Sequence, residues 1–394
     1  MINENTIQEI KERLDIVEVI GDFVSLKKSG SSYKALSPFT SEKTPSFFVS
    51  PSKQIFKCFS TGKGGDAIEF LKEVESMSYV ESLKYLAEKY GVEIEDSDDY
   101  SPQNTEKESL LIILSRANEF FMNNLKTESG QNFAMTYLDH RGVNTDMIKK
   151  FNIGYSIEDW DSLLNHLIKN GFDEALIEKA GLIIVKDNKK YDRFRNRLMF
   201  PIHNITGKVI AFGARQIKEE KKQPKYINSP ETLLYIKSDI LYGLYQSKNE
   251  IRKEDKCYLV EGYTDVISLY QIGINNVVSS SGTSLTNGQI KLLSRYTKNI
   301  TILYDGDEAG LNASLRGMDL ILENDLNVKI VSLPKDEDPD SLSKKMNELE
   351  FKNYLNTNET DLINYKVKLL NENYKDDPIK KSDMIFDIVK SISK

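Results

Sequence analysis

The chain has little of what marks a secreted or membrane-spanning protein. Its two cysteines, Cys58 and Cys257, are too few for a disulfide framework. No apolar run approaches the ~20 residues that span a bilayer. The first fifteen residues are polar with mixed charges, unlike a secretion signal. A cytoplasmic protein without a membrane partner is expected. Positive charge is also in short supply: 53 Lys and Arg against 60 Asp and Glu leave a net −7. Taken alone, that argues against a polyanionic partner. The distribution argues the other way. Between Lys186 and Lys225 twelve basic residues stand against four acids, and between Lys27 and Lys63 seven lysines stand against one acid, Glu42. Many such runs are solvated faces, but two of them in one acidic chain point toward nucleic acid. At 39% hydrophobic and 29% charged residues, composition is that of a globular protein, and 394 residues suffice for two or three domains.

Residues 1–92 read as a small first domain. Thr6 to Ile20 has helical periodicity. Short alternating runs follow at Phe23–Leu26, Tyr33–Leu36, Ser46–Val49 and Gln54–Phe59, then helices at Asp66–Glu73 and Tyr79–Tyr90. Residues 93–107 are acidic, polar and broken by Pro102, a linker composition. Residues 108–250 mix helices with strand runs such as Leu198–Ile202 and Val209–Phe212. From Lys256 the pattern alternates: strand runs at Cys257–Val260, Asn276–Ser279, Asn299–Tyr304 and Val328–Leu333 are separated by helical stretches. That alternation predicts a parallel sheet with helices on its faces over 251–340. Residues 341–394 read as mostly helical, including Lys381–Ile392.

Acids follow three of those strand runs in order. Glu261 and Asp265 lie in VEGYTD, Asp305 and Asp307 in LYDGDEAG, and Asp338 and Asp340 in LPKDEDPD. Ligands of open parallel sheets bind beyond the C-terminal strand ends, so six carboxylates should meet on one rim. Crowded carboxylates repel, and a divalent cation such as Mg²⁺ relieves the conflict with hard oxygen ligands while leaving positions for water and phosphate. One or two such ions can hold a triphosphate and activate a hydroxyl.

VEGYTD followed by YDGDEAG resembles the Toprim domain, shared by primases, topoisomerases, recombination mediators and some nucleases. Taken alone, it does not choose between making and breaking a phosphodiester bond. Further stretches are similar to bacterial DnaG-type DNA primases: SPFTSEKTPSFFVSP at 37–51 with KCFSTGKGGDAIEFL at 57–71, YLDHRGV at 137–143, DRFRNRLMFPIHNITGKVIAFGAR at 192–215, PKYINSPET at 224–232 and LYGLYQ at 241–246. The resemblance implies an α+β zinc-ribbon-like module, then an α/β Toprim polymerase core with a helical C-terminal part. It implies a DNA-directed RNA polymerase that makes short primers on single-stranded DNA from ribonucleoside triphosphates. Glu261, Asp305 and Asp307 become the catalytic carboxylates. Asp265, Asp338 and Asp340 complete a Mg²⁺ site in which Mn²⁺ can substitute. Arg141, Arg195, Arg197 and Arg215 become a basic ridge guiding template or nucleotide, and Lys225, Tyr226, Asn228 and Lys237 contact phosphates. Of the aromatic residues nearby, Phe194 and Phe212 read as core.

Two departures stand out. The ribbon's four zinc positions in the family are Cys and His; here they align with Ser37, Thr40, Cys58 and Thr61, and His140, His166 and His203 all lie elsewhere. One thiolate cannot hold a tetrahedral structural ion, so no bound zinc is expected. Phe39, Phe47, Phe48, Phe56, Phe59 and Phe70 should stabilise the module instead, while Lys43, Lys53, Lys57 and Lys63 keep contact with template. The second departure is that the chain stops at Lys394, as a fragment or short form, without the helicase-docking part usual in the family. A monomer is expected. The rival readings are a Toprim nuclease or topoisomerase and a non-catalytic single-strand binding protein.

Overall fold

The computed structural model describes residues 2–373 except 3, 41, 43, 76, 78, 95–101, 188, 219–222, 283, 307 and 336, together with 382, 385, 386, 388 and 389. The expectations for Lys43 and Asp307, for residues 95–101 of the linker and for most of the Lys381–Ile392 helix lie outside the described residues, while 102–107 of the expected linker are helical. The chain divides into two units, Met1–Thr105 with Arg252–Asp255 and Glu106–Ile251 with Lys256–Lys394.

In the first unit the single periodic stretch expected near the N-terminus is two helices. After α1 (Glu4–Arg13), Asp15 is extended and caps α2 (Ile16–Gly21) by accepting from the amides of Val17 and Glu18. An antiparallel sheet follows in chain order: β1 (Lys27–Ser29), β2 (Ser32–Ala35), β3 (Phe47–Ser50), β4 (Ile55–Cys58) and β5 (Gly64–Gly65). The strand expected at Phe23–Leu26 forms instead at β1. Phe23 packs edge-on against Phe70 at 5.8 Å. Alternation along β3 and β4 sends Phe47, Val49, Phe56 and Cys58 into the core shared with α3 (Ala67–Glu75) and α4 (Tyr79–Tyr90). Phe39, Phe47, Phe56 and Phe70 form one cluster, their centroids 5.4 to 6.2 Å apart. Phe48 and Phe59, expected in that core, pair apart from it at 5.6 Å, with Phe59 68% exposed.

The second unit begins on α5 (Pro102–Asn124). A π-helical stretch at Gly130–Met135 follows, then α6 (Thr136–His140) and α7 (Thr145–Lys150). Next come β6 (Gly154–Ser156), α8 (Ser162–Lys169), α9 (Glu174–Lys179) and a hairpin of β7 (Ile183–Lys186) with β8 (Lys189–Asp192). β9 (Arg197–His203), β10 (Val209–Gln216) and β11 (Tyr226–Asn228) complete an antiparallel sheet ordered β11-β10-β9-β6. Every residue of β9 and β10 is buried because apolar clusters cover both faces. Phe194 and Phe212 belong to that core, as expected.

Beyond α10 (Leu244–Glu254) lies the alternating region: β12 (Cys257–Val260), α11 (Tyr263–Gln271), β13 (Val277–Ser279), α12 (Asn287–Leu293), β14 (Asn299–Ile302), α13 (Glu308–Leu322) and β15 (Asn327–Val331). The four strands are parallel in the order β13-β12-β14-β15. After α14 (Pro339–Ser343) and α15 (Glu348–Asn358), β16 (Glu359–Asp361) adds antiparallel to β15 and leads into α16 (Leu362–Asn373). Because the chain turns from β12 to β13 on one side and then to β14 on the other, the switch point falls between β12 and β14.

Candidate active site

The switch point is where Glu261 and Asp305 emerge. Leu259 pairs with Ile302 across β12 and β14, and the amide of Asp305 reaches Glu261 Oε1 at 3.4 Å. The loop carrying Asp305 lies tight against the chain before α14: a Cβ on Gly306 would sit 2.3 Å from the carbonyl oxygen of Pro334, so a side chain is excluded there. Asp338 caps α14, accepting from Ser341 N at 2.6 Å. Glu261, Asp265, Asp305 and Asp338 line a cleft of about 340 Å³. The same cleft is lined by Arg215 from β10, Lys225, Tyr226 and Asn228 at β11, and Arg141 after α6. Nine residues expected at the site thus line one cavity, the acids from the parallel-sheet region and mostly cations from the elements before it.

Tyr137, which sequence reading passed over, organises the basic wall. It lies four residues before Arg141 on a helix, a spacing that brings side chains together. Its hydroxyl accepts from Arg141 Nε at 3.1 Å, and its ring faces both Arg141 (5.6 Å) and Arg215 (5.4 Å). Arg215 also donates to Tyr226 Oη at 3.0 Å. Burial works against the Arg141 charge, but Tyr137 and Asp340 outweigh it and raise its pKa. Asn228 is held from two sides, accepting from Tyr263 Oη at 2.8 Å and donating to the carbonyl of Ser281 at 3.1 Å. Ser281 has φ 57°, a left-handed conformation that costs a non-glycine residue energy and recurs at binding sites.

Asp340 departs from its expected place. It does not line the cleft. Both oxygens are engaged behind it by Arg141 (2.9 Å), Lys344 (2.7 Å) and the Ser268 hydroxyl. Asp265 is buried and accepts from the amide of Gly262 at 2.8 Å, closing the first turn of α11. Burial pushes its carboxyl up to about 8, and the charges of Asp305, Asp338 and Asp340 push the same way. Glu261, Asp305 and Asp338 offer hard oxygen donors, the kind a divalent cation takes. Among the described residues no three His, Cys, Asp or Glu side chains are gathered closely enough to hold a metal, and Asp307 lies outside them.

Three basic residues are not brought to the cleft. Arg197 is turned inward, 2% exposed, donating to the carbonyls of Pro224 and Lys225 and to Gln223 Oε1. Lys237 lies in a 3₁₀ turn at Lys237–Asp239, away from the cavity. Arg195 stacks over Trp160 at 4.3 Å and Tyr191 at 5.1 Å, and Trp160 is 64% exposed. In the first unit the four aligned ribbon positions present one thiol and three hydroxyls. Cys58 Sγ lies 3.2 Å from Ser37 Oγ, and Thr40 is exposed. That donor set does not fit structural zinc. No helix among the described residues is long and apolar enough to cross a membrane.

Comparison with known proteins accounts for nearly the whole chain. Residues 2–102 match the CHC2 zinc finger, 120–248 the N-terminal domain of the DNA primase catalytic core, and 258–343 a Toprim-like family. The zinc-binding and RNA polymerase domains of the Aquifex aeolicus primase are 35% identical, with a TM-score of 0.64 over 99% of this chain and 97% of that one. The chain belongs to the DnaG-type DNA primases. Another member of the family, the DNA primase of Clostridium acetobutylicum, is 42% identical over 100% of this chain, which spans 65% of that relative's length. A DnaG primase catalytic domain crystallised with single-stranded DNA is 34% identical, with a TM-score of 0.62, covering 68% of this chain and 84% of that one.

Proposed function

We propose that the chain is a DNA-dependent RNA polymerase that joins ribonucleotides into short primers on a single-stranded DNA template, acting in the cytoplasm. The observation that carries this reading is the shared cleft: Glu261 and Asp305 beyond the ends of parallel strands and Asp338 capping α14, lining one cavity with Arg141, Arg215 and Lys225. Such a cleft suits a triphosphate whose charge must be balanced along its length. Glu261, Asp305 and Asp338, with Asp307, would hold Mg²⁺, which supplies charge shielding at phosphate and a lowered barrier to attack by a 3′-hydroxyl. Arg215 and Lys225 grip phosphate oxygens, and Tyr226 with Asn228 fixes the nucleotide's orientation. Asp265 and Asp340 act indirectly: the first holds the backbone after Glu261, the second anchors Arg141.

The first unit offers a second surface for the template. Lys27, Lys34, Phe48 and Lys57 occupy one cross-strand row of the sheet. The three lysines are exposed, and Phe59 stands beside Phe48. Cations interleaved with exposed aromatic rings suit single-stranded nucleic acid. Trp160 with Tyr191 and Arg195 offers the same chemistry in the second unit. We read the ribbon as zinc-free, so purified protein should contain far less than one equivalent of zinc.

Asp305→Ala should abolish primer synthesis from ribonucleotides on single-stranded template, with melting temperature and template affinity retained. Undiminished primer yield would remove the cleft from the chemistry. Nicking of plasmid without nucleotides, lost in the same variant, would instead make the chain a nuclease.

A further inference from the structure

In the zinc module the two loops that a metal would join, residues 37–46 and 58–61, are still joined. We propose that a clasp of one carboxylate and three serine hydroxyls, centred on Glu42, takes over the cross-linking role of the zinc ion in this chain. The inference rests on the zinc-free reading above.

Glu42 closes the first loop on itself. Its Oε1 accepts from the amides at both ends of the loop, Ser37 N at 2.7 Å and Ser46 N at 3.0 Å, and its Oε2 accepts from Ser46 Oγ at 2.6 Å. From there the clasp crosses to the second loop. Ser46 Oγ lies 2.7 Å from Ser60 Oγ, and Ser60 Oγ lies 3.3 Å from Cys58 Sγ. Ser37 closes the circuit: its Oγ accepts from Phe39 N at 3.1 Å and meets Cys58 Sγ at 3.2 Å. A backbone bond from Phe59 N to Ser46 O runs alongside.

The parts suit this role chemically. A carboxylate takes several donors at once, and bonds to a charged acceptor are stronger than neutral ones. Accordingly, bonds from Ser46, Ser37 and Ser60 outweigh desolvation and lower the Glu42 pKa. Hydrogen bonds from Ser37, Ser60 and Thr61 likewise outweigh burial and bring the Cys58 thiol down to about 7. Two aligned ligand positions, Ser37 and Cys58, touch directly where a metal would otherwise bridge them. Behind them the Phe39, Phe47, Phe56 and Phe70 cluster supplies the apolar floor. The fold of the module is thereby uncoupled from metal supply.

The test uses the full chain. Thermal melts and amide exchange are recorded for wild type, Glu42→Gln and the milder Ser46→Ala, each with and without EDTA. The wild-type melt should ignore EDTA. Glu42→Gln should lower the transition of the first unit by roughly 5–10 °C and deprotect the amides of Ser37 and Ser46. Ser46→Ala should shift it in the same direction by less. A second background restores ligands through Ser37→Cys, Thr40→His and Thr61→Cys. Once elemental analysis shows zinc bound there, adding Glu42→Gln should move the transition by less than about 2 °C. Wild-type melting and protection in Glu42→Gln would overturn the clasp, as would undiminished sensitivity to that change in the zinc-loaded background. An EDTA-sensitive wild type carrying one zinc would instead overturn the metal-free reading beneath it, and needs no substitution to be seen.

Discussion

Single side chains decide how the cleft is charged, and Tyr137 is the one whose role is easiest to isolate. Tyr137→Phe keeps the ring beneath Arg141 and Arg215 and removes only the acceptor for Arg141 Nε. One lost hydrogen bond of about 1 kcal/mol predicts a KM for ribonucleotide raised about fivefold, with kcat nearly unchanged. Tyr137→Ala also forfeits both cation–π contacts and should cost ten- to a hundredfold in kcat/KM, again mostly through KM. If both variants merely melt earlier while the surviving enzyme keeps its KM, Tyr137 has no positioning role. At this scale the sequence was legible where a residue's place follows from the end of a strand. Glu261, Asp305 and Asp338 reach one cleft for that reason. It was not legible where burial decides. Arg197 and Arg215 sit at paired ends of neighbouring strands, and both read as ridge residues. The structure takes up Arg197 on three oxygens of 223–225 and leaves Arg215 facing the cavity.

At the scale of elements, the row across β1 to β4 gives the sharpest expectation. Each lysine of the row that meets a phosphate should contribute about 0.7 to the slope of log affinity against log salt on single-stranded DNA. Lys34→Ala should therefore flatten that slope by about 0.7, and Phe59→Ala should weaken binding by about 1–3 kcal/mol with little sequence preference. A fluorescence-anisotropy titration at several salt concentrations measures both. Unchanged slopes would assign the face to solvent. The strand–helix alternation from Cys257 onward was readable because β12 is a continuous apolar run and the helices between strands have their own period. The antiparallel β16 was not, since Glu359–Asp361 is polar and is held as a strand by its pairing with β15. The break between α1 and α2 was also missed. Apolar periodicity continues through it, and only the cap at Asp15 marks the restart.

The molecule as a whole carries a buried histidine that should show in its acid stability. Burial lowers the pKa of His203 from 6.5 to about 4. The unfolded chain binds that proton more readily than the folded one, so stability is full above pH 6.5 and declines as pH falls toward 4. The linkage amounts to about 3 kcal/mol across that window. His203→Gln should flatten this part of the profile, measured as the midpoint of urea unfolding at pH 7, 6 and 5. An equally steep profile in the variant would place the acid sensitivity elsewhere. Family membership itself was visible in the sequence, because the motifs run in order from the ribbon to the DPD sequence without a large insertion.

Arg141 meets Asp340 across 199 residues of chain. On a ribosome adding about 5–20 residues per second, roughly 10–40 s separate the synthesis of the two partners. Throughout that interval Arg141 exists without its anchor, and the nascent chain cannot complete that side of the cleft. A chain that ends before Asp340 therefore lacks the contact that holds Arg141 beside the cleft.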